Sequence, residues 1–178
     1  MDFALLLPLL LAALAALAAG FLRPRAAAFA GGMAAVAGFA AYLVVAGPVG
    51  DGARVTAPLL AVPSLGIGGG LVLDGLSLVF VLLITGIGAL VFLYSSAYLR
   101  HDPRLGRLAV MLALFMLAML GAVTADDIVL MFVFWEATSL ASFFLVGFDH
   151  TARGARHAAL QALLVTGGGG LALLAGFV

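Results

Sequence analysis

Ile128-Val-Leu-Met-Phe-Val-Phe-Trp135-Glu136-Ala-Thr-Ser-Leu-Ala-Ser-Phe-Phe-Leu-Val-Gly147 is a run of membrane-spanning length with one acid in its middle, and Glu136 is the only glutamate in the chain. About 20 apolar residues carry a helix across a hydrocarbon core roughly 30 Å thick. A carboxylate at the centre of such a helix costs roughly 2.5–3.5 kcal/mol or more. Residues kept at that cost usually face a protein interior or a hydrated path, and often move protons or bind ions. With the helix starting at Asp127, Glu136 falls about 14 Å deep at ~1.5 Å per residue, close to the midplane.

The rest of the chain has the same character. Apolar residues make up 66% and charged residues 9%, with a mean hydropathy of +1.31. That leaves too little polar material to cover a soluble domain of this length. The formal net charge is zero, which argues against nucleic acid as a partner. With no cysteine, disulfides and thiolate metal sites are excluded,. There is no lysine either, so all eight cationic side chains are arginines.

Apolar runs predict an all-α, polytopic membrane protein of about six spans: Phe3–Leu22, Ala26–Ala46, Leu73–Leu99, Leu108–Thr124, Asp127–Phe148 and His157–Val178,. The fourth reads as the shortest and the sixth as the richest in glycine. The first is a retained helix rather than a signal peptide, because Asp2 precedes it and Arg23 and Arg25 follow it,. Arg23, Arg25, Arg100, Arg104, Arg107, Arg153 and Arg156 fall in three alternate loops, while the other side holds Arg54, Asp2, Asp51, Asp126 and Asp127. The arginine side is therefore expected to be cytoplasmic, with the N-terminus outside.

Gly47–Gly70 is the long connection, with Gly-Pro at 47–48, Pro58, Pro63 and Gly66-Ile-Gly-Gly-Gly70. It reads equally as an outer β-hairpin or as an irregular loop. Val178 ends the sequence inside an apolar run, which predicts a fragment of a longer polypeptide.

Ser139 and Ser142 follow Glu136 at steps of three and form a slowly winding polar strip with it,. The strip either holds water and accepts protons, or Glu136 is a neutral acid hydrogen-bonded between helices. With every arginine in a loop, no cation is expected nearby, and an isolated carboxylate favours its protonated form. An ionised Glu136 would need a partner from outside this chain. Asp126, Asp127 and Asp74 read as helix caps, with an outer ion-uptake role as the alternative for the first two. His101, His150 and His157 read as surface histidines, with His150 retained as a candidate member of a proton path. Their spacing does not suggest a metal site, and no cofactor is indicated. The glycines Gly31, Gly32, Gly38 and Gly167–Gly170 fit close helix packing, and the last run also permits a bend.

From Leu73 onward the sequence resembles the large A subunit of multisubunit Mrp-type Na+/H+ antiporters, which is homologous to the proton-pumping membrane subunits of complex I. The resemblance rests on Leu73-Asp-Gly-Leu-Ser77, Leu83-Ile-Thr-Gly-Ile-Gly-Ala-Leu90, His101-Asp-Pro-Arg-Leu-Gly-Arg107, Phe134-Trp-Glu-Ala-Thr-Ser-Leu140 and Ala159-Leu-Gln-Ala-Leu-Leu-Val-Thr-Gly167, with Pro63-Ser-Leu-Gly66 before them. Ala137-Thr-Ser139 after the Trp-Glu pair favours the antiporter branch over complex I. Departures are Asp127, Asp149 and Ala137, where relatives more often carry asparagine, an aromatic residue and leucine.

The resemblance implies that Glu136 is the family's fifth-helix glutamate, paired with a lysine on a later, broken helix. It implies residues 1–106 as an N-terminal three-helix segment and 107–178 as the first three helices of an incomplete proton-translocation bundle. The implied activity is proton transfer coupled to Na+ export in a bacterial plasma membrane, alongside other membrane subunits. A redox-driven proton pump and a non-transporting scaffold are the alternatives.

Overall fold

The computed structural model describes residues 2–62, 67–149, 151–152 and 154–177. Six helices follow one another: α1 (Asp2–Ala19), α2 (Pro24–Gly50), α3 (Gly75–Tyr98), α4 (Leu105–Thr124), α5 (Ile128–Val146) and α6 (Ala155–Phe177). Between α2 and α3 lie two strands, β1 (Val55–Val62) and β2 (Ile67–Leu73). Helices α2 to α6 are each long and apolar enough to cross a membrane, and α1 is a shorter apolar helix.

Each predicted span became a helix, with informative shifts at the ends. Pro24 opens α2, a position where its missing N–H costs nothing,. The same helix runs through Pro48 to Gly50, beyond the Gly-Pro expected to end it. Pro48 has no N–H to donate back to the Val44 carbonyl, so the last turn continues without that bond,. Arg25, Arg107 and Arg156 were expected in loops but lie in the first turns of α2, α4 and α6. Their long stems let the charge reach water from a helical position. The earlier start makes α4 20 residues long, so it is not the shortest span.

The long connection is a hairpin. Its strands pair antiparallel with Val55 opposite Leu73 and Ala57 opposite Leu71. Those four side chains are buried, since alternate strand residues share one face and this face covers the end of the bundle,. The register slips between Pro58 and Leu60, where proline cannot donate to the ladder,. Pro63-Ser-Leu-Gly66, part of the family resemblance, lies outside the described residues.

α2 packs against α1 and α3, and α4 packs against α1, α2, α3 and α5. Small residues permit the close approaches. The Phe92 ring of α3 occupies the space a side chain at Gly31 would need, and Gly38 meets Pro8 and Thr85,. Asp74 caps α3 in a reciprocal box: the Ser77 N–H donates to Asp74 Oδ1 (2.9 Å) and the Asp74 N–H to Ser77 Oγ (2.8 Å),.

Tyr42 is fully buried on α2, and its hydroxyl has no hydrogen-bond partner among the described residues. Tyr42→Phe removes that cost while keeping the ring. The expected outcome is a gain of about 1 kcal/mol, read as a higher melting temperature in detergent.

Candidate functional site

Helix α5 is held first at its hairpin end. Asp127 is its N-cap, accepting from the N–H groups of Val129 (2.8 Å) and Leu130 (3.1 Å). Asp126 does not share this role. Its Oδ1 accepts from the Gly70 N–H (2.6 Å), and its own N–H donates to the Gly70 carbonyl (3.1 Å). Only one residue can occupy a cap, and the neighbouring carboxylate is turned onto the hairpin instead. Gly70 must be glycine for this approach, because a Cβ there would stand 2.7 Å from Asp126 Oδ2 and 3.0 Å from the Ala57 carbonyl.

Glu136 lies at the middle of α5, eight residues after Ile128 and ten before Val146. Its Oε1 is buried and has no hydrogen-bond partner among the described residues. The oxygen rests against Gly170 of α6, filling the place that a side chain at that position would take. The α6 backbone therefore forms one wall of the carboxyl's seat. Of the four glycines from 167 to 170, the first three face open space and Gly170 alone makes this contact.

Beside this seat a cleft of about 400 Å³ opens between α5 and α6, lined by Trp135, Thr138, Ser139, Ser142, Thr166 and Gly170, among others. Ser139 and Ser142, expected to continue the polar strip, do line it. Three of the hydroxyls donate to their own helices: Thr138 to the Trp135 carbonyl (2.6 Å), Ser139 to the same carbonyl (3.4 Å) and Thr166 to that of Ala162 (2.8 Å). Their oxygens keep acceptor capacity toward the cleft. Thr166 and Gly170 are one turn apart on α6, so both fall on the face turned to α5. Thr138 and Thr166 escaped the sequence reading, and Gly170 was singled out there only as one of four packing glycines. The fourfold spacing of Thr166 and Gly170 was the available signal.

Of the other candidates, Asp126 lies ten residues before Glu136, about 15 Å along the helix axis, and it does not line the cleft. His150 lies outside the described residues. Among the described residues, no group of histidines and carboxylates could hold a metal, and both ion pairs are made by Arg104 rather than near Glu136.

The arginine-bearing connections gather at the other end of the bundle. Arg25 Nε donates to the Arg100 carbonyl (3.2 Å), and Arg104 bridges Asp102 (2.9 Å) and Asp149 (3.1 Å). Arg107 Nη2 donates to the Phe148 carbonyl (2.7 Å), with its guanidinium 5.2 Å from the centre of the Phe148 ring,.

Hydrogen bonds from Arg104 hold the Asp102 carboxyl below the usual aspartate range. Hydrogen bonds from Thr151 and then Arg104 do the same for Asp149. A carboxyl lowered in the folded state adds stability above its unfolded value of about 3.9 and loses it as pH falls through the folded one. The tie between the α3–α4 and α5–α6 connections should therefore persist at neutral pH and release below about pH 4. Proteolysis of both connections as a function of pH checks this. Arg104→Gln is expected to give the released pattern already at pH 7.

Residues 59–108 match the family described as NADH-Ubiquinone oxidoreductase (complex I), chain 5 N-terminus. Residues 125–178, which contain Glu136 and Gly170, match NADH:quinone oxidoreductase/Mrp antiporter, TM. The chain belongs to the Mrp antiporter/complex I membrane-subunit family.

Within that family its likeness is to the A-type Mrp subunit. It is 42% identical over 140 residues to a Na+/H+ antiporter subunit A1 of Staphylococcus haemolyticus, covering 79% of this chain and 17% of the relative. A Staphylococcus aureus subunit A1 is 43% identical over 128 residues, covering 72% and 16%. The chain thus spans about one sixth of the length of the curated relatives it matches.

The fold agrees with the structure of the Mrp complex from Dietzia sp., with a TM-score of 0.79 at 35% identity, covering 97% of this chain and 18% of that one. A chain of the archaeal membrane-bound sulfane sulfur reductase shares the fold, with a TM-score of 0.76 at 18% identity, covering 98% of this chain and 35% of that one. As a multi-span Mrp-type subunit with bacterial relatives, the protein belongs in the bacterial plasma membrane.

Proposed function

We propose that this chain supplies the proton-binding half of a transport site in a multisubunit cation/proton antiporter, with Glu136 alternately protonated and charged as protons cross the membrane and Na+ is exported. The observation that carries this reading is the mid-helix carboxyl with Oε1 buried and unpartnered, beside a cleft lined by hydroxyls. A carboxyl held there without a fixed partner is ready to exchange a proton with water admitted to the cleft. An acid with no transport role would instead be expected to hydrogen-bond a neighbouring helix.

Ser139, Ser142, Thr138 and Thr166 would orient that water. The cation that stabilises the ionised state would come from outside the described residues, in keeping with the lysine implied by the family. The arginine-bearing end faces the cytoplasm in this reading. Residues 107–178 form part of a translocation bundle completed by further helices and by other membrane subunits. The names of the staphylococcal relatives favour Na+ as the exchanged ion over quinone-linked pumping.

Glu136→Gln in the complete complex, assayed for Na+-driven proton movement in everted vesicles, tests the proposal. Exchange at the wild-type rate would overturn it.

A further inference from the structure

A second groove lies at the arginine-bearing end, on the outer surface where α4, α5 and α6 meet. Its volume is about 350 Å³, and Arg107, Arg156, Met111, Phe143, Phe144 and Leu160 contribute to its walls. The two arginines stand in the first turns of α4 and α6, and Met111 and Leu160 stand one turn further along the same helix faces,. Charge is therefore placed at the mouth and apolar surface deeper in. Phe144 and Leu160 are each about half exposed, at 52% and 51%, so the groove is open along its length.

Among the described residues, no carboxylate lines this groove. The acid on the adjoining connection, Asp149, is engaged by Arg104 and Thr151. Arg107 is also oriented in advance, because Phe148 holds it through one N–H and its ring face. Among the described residues, one of its five donors is engaged by a hydrogen bond,. Two cations, of which Arg107 is held in place by Phe148, stand above an apolar trough at the level where the spans end, and together they complement an amphiphile with a phosphate head and an acyl tail.

We infer that this groove binds an anionic phospholipid, with the headgroup phosphate between Arg107 and Arg156 and an acyl chain along Met111, Phe144 and Leu160. A basic recess between membrane helices at their cytoplasmic ends is suited to this role. The inference does not depend on proton transfer through Glu136.

The complete polypeptide, purified in its assembly and returned to bilayers, provides the test. Native mass spectrometry would compare retention of phosphatidylglycerol and phosphatidylcholine. Wild type is expected to retain phosphatidylglycerol preferentially. Arg107→Gln with Arg156→Gln should weaken that retention about 25-fold, the product of about fivefold for each charge at an anionic surface.

Arg107→Lys with Arg156→Lys keeps the charges and should retain the lipid, which covers the case of a glutamine pair that fails to assemble. Arg100→Gln, outside the groove, should leave retention unchanged. Equal retention of the two lipids, or an unaffected glutamine pair, overturns the inference. So does a photoreactive residue at Phe144 that captures a protein segment instead of lipid.

Discussion

Glu136→Gln is expected to bring proton-coupled exchange to background, a loss of at least about 100-fold, the lower end of what a positioned proton-transfer group contributes. Glutamine keeps the length, the planar head and the contact with Gly170, so packing is left nearly unchanged. It removes the ability to bind and release a proton in the working pH range. Assembly and melting temperature should therefore stay at wild-type values while exchange disappears. Glu136→Asp keeps the acid but draws it back by one methylene from the Gly170 wall. It should retain partial exchange with altered pH dependence, measured in the same everted vesicles.

Gly170→Ala is expected to lower exchange about tenfold or more without unfolding the protein. The new Cβ would take the place of Glu136 Oε1, and that oxygen ends a flexible side chain that can swing aside. Alanine also favours the helix over glycine by about 1 kcal/mol, which offsets the local crowding. Thermal stability should thus change little. The carboxyl, however, is displaced toward the cleft, and displacement of a reacting group by about 1 Å can cost as much as 100-fold in rate.

Gly121→Ala is the informative contrast. There the added Cβ meets the ring of Phe134, a stiff, partly buried group of α5 that must shift as a whole. The expected loss is one of stability, about 1–3 kcal/mol from overpacking. Melting temperature and exchange measured on both variants separate a wall of the site from ordinary helix packing.

These contrasts mark where sequence reading reaches its limit. The spans were legible because an apolar run of the right length has few other fates, and Glu136 stood out because its cost is local to its own helix. The hairpin stayed open as a question because Gly66–Gly70 carries no side-chain alternation from which a strand can be recognised. What decides it is Val55, Ala57, Leu71 and Leu73 closing over the bundle. Asp126 and Asp127 were indistinguishable as neighbours, since the strand that claims one of them is more than fifty residues away. Gly170 was hidden for the same reason: its partner is on another helix, and only packing shows which of four identical glycines faces the acid.

Both ends of α5 are fastened to parts of the molecule remote in sequence: Asp126 is joined to the hairpin at one end, and Arg107 grips the carbonyl of Phe148 just past the other. A rod anchored at each end cannot readily slide or turn. Any change of state in this region therefore falls to the Glu136 side chain and to α6, whose contacts here are mainly with α5. In the proposed transport cycle α5 is the stator of the pair, and a spin label on it is expected to hold a constant distance to one on α1 throughout that cycle.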